Sequence, residues 1–230
     1  MRKGFTLAEV LITLGIIGVI AALTMSIIHN ITNQQYVAGL KRAYNVLSNV
    51  IRNSEADNGP AEDWTAFTYT GSPNLDETVF FTTYIQPYLN VLTVCPRGSM
   101  DNCFPLTSYK FLNNGTGTQV YGSLYGANFY HGVRTRDGIS YACTSESGSW
   151  KEFIVDVNGP KGPNVVGRDL FKFVLFPQPL GLQPYGSYAQ SSAMTPIADS
   201  TVLSGCSKNV GNANNFYCTM RVISEGAMNY

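Results

Sequence analysis

One carboxylate stands alone in the first stretch of this chain. From Phe5 to Ile28 the sequence reads FTLAEVLITLGIIGVIAALTMSII, and Glu9 is its only ionisable residue. A carboxylate inside hydrocarbon costs about 2.5–3.5 kcal/mol on insertion scales, and such residues usually mark function. The chemistry open to it is pairing, since a buried acid is expensive alone and is compensated beside a positive amine. Two cations and a glycine, Arg2, Lys3 and Gly4, precede the run.

A second set of oxygens lies in Asp156-Val-Asn-Gly-Pro-Lys-Gly-Pro-Asn-Val-Val-Gly-Arg-Asp169. Asp156 and Asn158 at alternate positions, with Asp169 further on, could wrap a hard cation such as Ca2+, which takes oxygen ligands. The stretch is not an EF-hand, because position five falls on Pro160 and no glutamate closes it. The same residues also read as a Gly/Pro-stiffened connection between two strands, and both readings stay open.

The five cysteines, Cys95, Cys103, Cys143, Cys206 and Cys218, all follow the apolar run. Disulfides persist in oxidising compartments. Proximity pairs Cys95 with Cys103 and Cys206 with Cys218, leaving Cys143 unpaired or intermolecular, although spacing does not fix connectivity. Zinc would call for a CxxC or a nearby histidine, and neither is present. The two histidines, His29 and His131, belong to no catalytic motif, and no GxSxG, HExxH, Walker A or GxGxxG occurs. His131, Asp137 and Ser140 make a scatter rather than a triad. A formal net charge of zero with 13% charged residues lacks the basic excess of a nucleic-acid binder. The chain reads as no enzyme, with no cofactor beyond the possible Ca2+.

These residues need elements to hold them. The apolar run is long enough to cross a hydrocarbon core, which takes roughly 20 residues of helix, and Arg2 and Lys3 favour a cytoplasmic N-terminus. Beyond it, Tyr36, Val37, Leu40, Ala43, Tyr44, Leu47, Val50 and Ile51 recur at helical steps. One helix is therefore expected from about Thr6 to Asp57, stopped by Asn58-Gly59-Pro60. More helix is expected around Trp64–Tyr69 and within Thr78–Leu92, where Glu77–Leu89 carries the helical spacing, and a stapled surface loop at Cys95–Cys103. Strands are expected at Tyr109–Leu112, near Gly126–Tyr130, and at Ile139–Thr144, Glu152–Val157 and Leu170–Phe176. Glu152–Val157 alternates as a half-buried strand would. The Pro-rich stretch from Pro177 to Tyr188 reads as irregular, and the tail beyond it as a polar loop closed by Cys206 and Cys218. The fold class is α+β, an antiparallel sheet packed on the amphipathic half of one helix.

Gly4-Phe5-Thr6-Leu7-Ala8-Glu9-Val10-Leu11-Ile12 resembles the class III signal of type IV prepilins and type II secretion pseudopilins. An ordinary secretory signal has its small-residue cleavage site after the apolar region; here Gly4 comes before it. The resemblance implies cleavage after Gly4 by a membrane prepilin peptidase, N-methylation of Phe5, and a Glu9 that meets the Phe5 amine of a neighbouring subunit. It implies a leader at 1–4, a membrane or filament-core helix at 5–28, an amphipathic half at 29–58 and a disulfide-looped head at 59–230. It further implies an inner-membrane precursor, an inner-membrane assembly platform and other pilin or pseudopilin subunits as partners, and a periplasmic or surface filament. Where many pilins carry a helix proline this chain has Ser26, with Gly15 and Gly18 as the loosening residues. The alternatives are a type II secretion pseudopilin or, in another class, a membrane-anchored extracellular binding or enzymatic domain that forms no filament.

Overall fold

The computed structural model describes residues 6–64, 76–96, 99–105, 108–115, 129–144, 150–191 and 193–230. Gly4 and Phe5, most of Trp64–Tyr69 and the first part of the strand expected near Gly126 lie outside the described residues.

Helix α1 (Leu7–Asn58) runs for 52 residues, a rod of about 78 Å at 1.5 Å per residue. It passes Gly15, Gly18 and Ser26 without a break. It ends at Gly59, whose φ of 81° is one that side-chain-bearing residues rarely adopt, and whose N–H bonds to Glu55 O at 3.0 Å. The two halves of α1 differ. Every side chain described from Thr6 to Ile31 is exposed, whereas Val37, Leu40, Ala43, Leu47, Val50 and Ile51 are buried.

That buried face lies on a six-stranded sheet. Its strands are β1 (Val91–Pro96), β2 (Phe129–Thr135), β3 (Ser140–Thr144), β4 (Lys151–Asp156), β5 (Leu170–Leu175) and β6 (Leu182–Pro184), antiparallel and in sequence order. The Tyr44 ring stacks on Phe173 with centroids 5.5 Å apart. Gly39 sits where an added Cβ would come within 3.1 Å of Val157, so a small residue lets helix and sheet approach. Helix α2 (Asp76–Phe80) continues through a π turn and a 3-10 turn to Tyr88, as the spacing of Phe80, Phe81 and Ile85 predicts, and buries those three side chains.

Four assignments of secondary structure need correction. Tyr109–Leu112 is not a strand: only Lys110 makes a bridge, to Val165, while the Tyr109 ring is buried beneath the sheet. The Val91–Pro96 stretch, partly assigned to a stapled loop, forms edge strand β1 instead. The Pro-rich stretch contributes β6, three residues long at the other edge, where a proline costs no ladder bond. The tail is helical, with α3 (Asp199–Gly205), a 3-10 turn (Ala213–Tyr217) and α4 (Cys218–Glu225).

These segments change the burial of β4. Phe153 and Val155 face α1, but Glu152, Ile154 and Asp156 on the other side are buried as well. A second core of Met100, Phe104, Tyr109, Phe111 and Phe216 covers them. The sheet therefore has apolar cover on both faces, and β4 is not half-buried. The whole is α+β, a long N-terminal helix against an antiparallel sheet with small helices around it, as the pilin-like expectation has it.

Phe153 is fully buried between these layers. Phe153→Ala is expected to cost about 3–5 kcal/mol, a large part of an ordinary domain's stability, while Val19→Ala on the exposed half stays within about 0.5 kcal/mol. Urea unfolding followed by tryptophan fluorescence checks this; equal midpoints for wild type and Phe153→Ala would contradict the packing described.

Candidate functional site

The exposed half of α1 begins with a closed polar knot. Thr6 is the N-cap; its N–H and its hydroxyl both donate to Glu9 Oε2, at 2.8 and 2.7 Å, and Glu9 N–H donates back to Thr6 Oγ1 at 3.3 Å. This is a capping box, in which side chains satisfy helix-end donors that the helix cannot. Glu9 also sits where the helix dipole favours negative charge. Its role as a cap was readable from Thr6-Leu-Ala-Glu9, the S/T-x-x-E pattern, yet only its pairing role was drawn from the sequence. Around this knot, Leu7–Met25 is 19 residues long with a mean hydropathy of 2.3 and no burial within the chain. By length and composition it can cross a membrane.

The Asp156–Asp169 stretch forms the β4–β5 connection. Asp156 Oδ2 accepts from the Tyr109 hydroxyl, and Asp156 Oδ1 from Asn158 N–H at 3.0 Å. Asp169 Oδ2 accepts from Asn164 N–H at 2.7 Å and Oδ1 from Val165 N–H at 2.6 Å. Both carboxylates are fully buried and clamp the loop. Asn158 donates its side-chain amide to Gly162 O at 2.9 Å. Its Oδ1, like that of Asn164, is buried with no hydrogen-bond partner among the described residues. No group of three or more His, Cys, Asp or Glu placed to hold a metal ion occurs among the described residues.

The cysteines fall into two pairs at disulfide distance. Cys95 at the end of β1 meets Cys103, and Cys206 after α3 meets Cys218 at the start of α4. Cys143 is buried on β3 in no disulfide. The second bridge packs against the β4–β5 loop, where a Cβ on Gly167 would lie 2.9 Å from Cys218 Sγ. The scattered polar residues do not converge. His131 Nε2 lies 2.8 Å from Gln86 Oε1, Asp137 pairs with Arg42 at 2.8 Å, and the Ser140 hydroxyl donates to Cys103 O.

Two family models match this chain, and they meet within the exposed half of α1. Residues 1–25 match the prokaryotic N-terminal methylation motif, and residues 26–226 match a family of unknown function, DUF6613. The chain belongs to that family. No curated protein and no solved structure matches it. The methylation motif is the class III signal of type IV pilins and pseudopilins, so this DUF6613 member is a pilin- or pseudopilin-type subunit. The motif goes with a structural rather than a catalytic role, with processing by a prepilin peptidase, with assembly alongside other pilin subunits, and with membrane anchoring before assembly.

The clamp of the DUF6613 head carries an electrostatic cost. Burial pushes the Asp156 carboxyl well above its ordinary range, with Asp169 adding to the rise. Burial raises Asp169 to about 6 from 3.8, opposed by the N–H groups of Val165 and Asn164. A carboxyl raised on folding gives stability that is complete below its unfolded pKa and is lost as pH climbs through the folded value. Asp169 therefore stabilises the fold less at pH 7 than at pH 4, by up to about 3 kcal/mol. Chemical unfolding of wild type and Asp169→Asn across that range checks this: the wild type should lose more stability than the variant as pH rises, and parallel profiles would contradict it.

Proposed function

We propose that the chain is a structural subunit of a type IV pilus-like filament, cut after Gly4, N-methylated on Phe5 and held in the filament by the exposed half of α1. The carrying observation is that apolar half-helix. The head covers none of its described side chains up to Ile31, so something outside the chain must: lipid in the inner membrane before assembly, and the helices of neighbouring subunits afterwards. A precursor with a cytoplasmic N-terminus puts the head, with its two cysteine pairs, on the oxidising side.

Glu9 then has two partners in succession. In the subunit its Oε2 is held by Thr6. In the filament the same carboxylate takes the methylated Phe5 amine of a neighbour, an ion pair added to the charge-assisted capping bonds from Thr6. That pair forms only when the subunit docks in register. The prepilin peptidase and an inner-membrane assembly platform are the other partners of this reading.

A second reading concerns the β4–β5 loop. Two buried carboxylates and two partnerless amide oxygens, of Asn158 and Asn164, suit a Ca2+ ion, a hard cation that takes oxygen ligands. A bound cation would favour the charged carboxylates, so millimolar Ca2+ would raise stability at pH 7 and flatten the pH dependence; no effect of Ca2+ would sink this reading.

Glu9→Ala tests the main proposal. The variant should be cut and methylated normally, while its share of the filament fraction falls at least about tenfold, since an unpaired buried charge costs about 3–5 kcal/mol. Undiminished incorporation would contradict the pairing.

A further inference from the structure

A small pocket opens at the end of the head nearest the exposed half of α1. Its volume is about 100 Å³. Asn33, Leu112, Asn114, Arg168, Lys208 and Tyr230 are in its lining. Two of these are cations that form no ion pair among the described residues. Arg168 lies over the Tyr36 ring at 5.8 Å, and its Nε is buried with no hydrogen-bond partner among the described residues. A buried donor left unsatisfied costs about 1–3 kcal/mol, which an incoming acceptor would recover. Asp169 feels the charge of Arg168, yet its two oxygens accept from the N–H groups of Asn164 and Val165 and no ion pair with Arg168 forms. The pocket therefore fits a compact anion.

Its position narrows the source. Asn33 comes on α1 just after the last wholly exposed stretch. It lies about 8 Å along the axis past Ile28, the end of the apolar run, and about 12 Å past Met25, where the membrane-crossing stretch ends, at 1.5 Å per residue. The polar layer of a bilayer extends about 5–8 Å beyond the hydrocarbon edge, and long Arg and Lys side chains reach toward it from flanking positions. We propose that this pocket takes the phosphate of a membrane phospholipid, with Arg168 and Lys208 as its charged ligands and Asn33 and Asn114 as polar ones. The head of the anchored subunit then sits down on the bilayer in a fixed orientation and leaves that site when α1 is withdrawn into a filament.

Native mass spectrometry of the full chain extracted in mild detergent tests this, with phosphatidylglycerol or inorganic phosphate added. The wild type should retain one phosphatidylglycerol. Arg168→Met and Lys208→Met should each lower retention about tenfold, the scale of one charge-assisted contact. Lys208 is exposed, so its variant keeps the test valid should Arg168→Met unfold the loop, and a melting curve shows which variants are folded. Equal retention by wild type and both folded variants would overturn the proposal. Displacement of the lipid by equimolar inorganic phosphate would overturn it too, by making a free anion the ligand. So would variants that lose filament incorporation with lipid retention intact, because the pocket would then serve a neighbouring subunit's acid. The proposal rests on the membrane-anchored stage alone. A failure of anchoring would show separately, as wild type and variants alike missing from the membrane fraction.

Discussion

An apolar rod without cover is the constraint from which the rest follows. From Leu7 to Ile31 the large apolar side chains that the structure describes stand about 40–80% exposed. Burying each is worth about 1.5–3 kcal/mol, so together they represent tens of kcal/mol that the chain itself does not realise. Few devices satisfy such a helix. A bilayer does, because an α-helix meets all its own backbone hydrogen bonds, and so does a bundle of identical helices. A subunit that moves from one to the other exchanges one apolar surrounding for another, and the hydrophobic term nearly cancels. What remains to direct such an exchange is polar, and in the proposed function Glu9 takes that part.

The second half of α1 turns this constraint into geometry. Val37, Leu40, Ala43, Leu47 and Val50 are clasped by the sheet, so the head cannot rotate about the helix without uncovering its own core. The capping box at Thr6 and Glu9 and the glycine stop at Gly59 mark the two ends of one continuous element. Cover on the far face of the sheet makes the head rigid in turn. There Asn215 takes Leu112 N–H on Oδ1 at 3.0 Å and donates to Gly205 O at 3.1 Å, tying the tail helices to the loop beneath the sheet.

The sequence made the helix and three inner strands legible because their signals are local. The three- and four-residue steps of α1 survive in the structure position for position, and β3, β4 and β5 fall within about two residues of where their β-branched and aromatic runs put them. What escaped was decided by distant partners. Glu152 and Asp156 look like the wet side of β4, yet Lys172 bonds the first at 2.8 Å and the Tyr109 hydroxyl the second, from 20 and 47 residues away along the chain. β1 went unread because its apolar residues run on from the helical spacing of Phe80–Leu89, and its outward Leu92 and Val94 are half exposed. The tail's helices hang on the buried amide of Asn215, which looks like any loop asparagine in the sequence. Of the site, the Glu9 carboxylate was legible from its isolation. The Arg168 pocket was not, since it is assembled from α1, two loops and the tail.

The most direct measurement is mass spectrometry of the N-terminal peptide from protein recovered in the membrane and sheared-filament fractions. Processing and assembly as described here predict a peptide that starts at Phe5, carries one added methyl group and is present in the filament fraction. A peptide that still contains Arg2 and Lys3, with none starting at Phe5 in either fraction, would contradict the account at its centre.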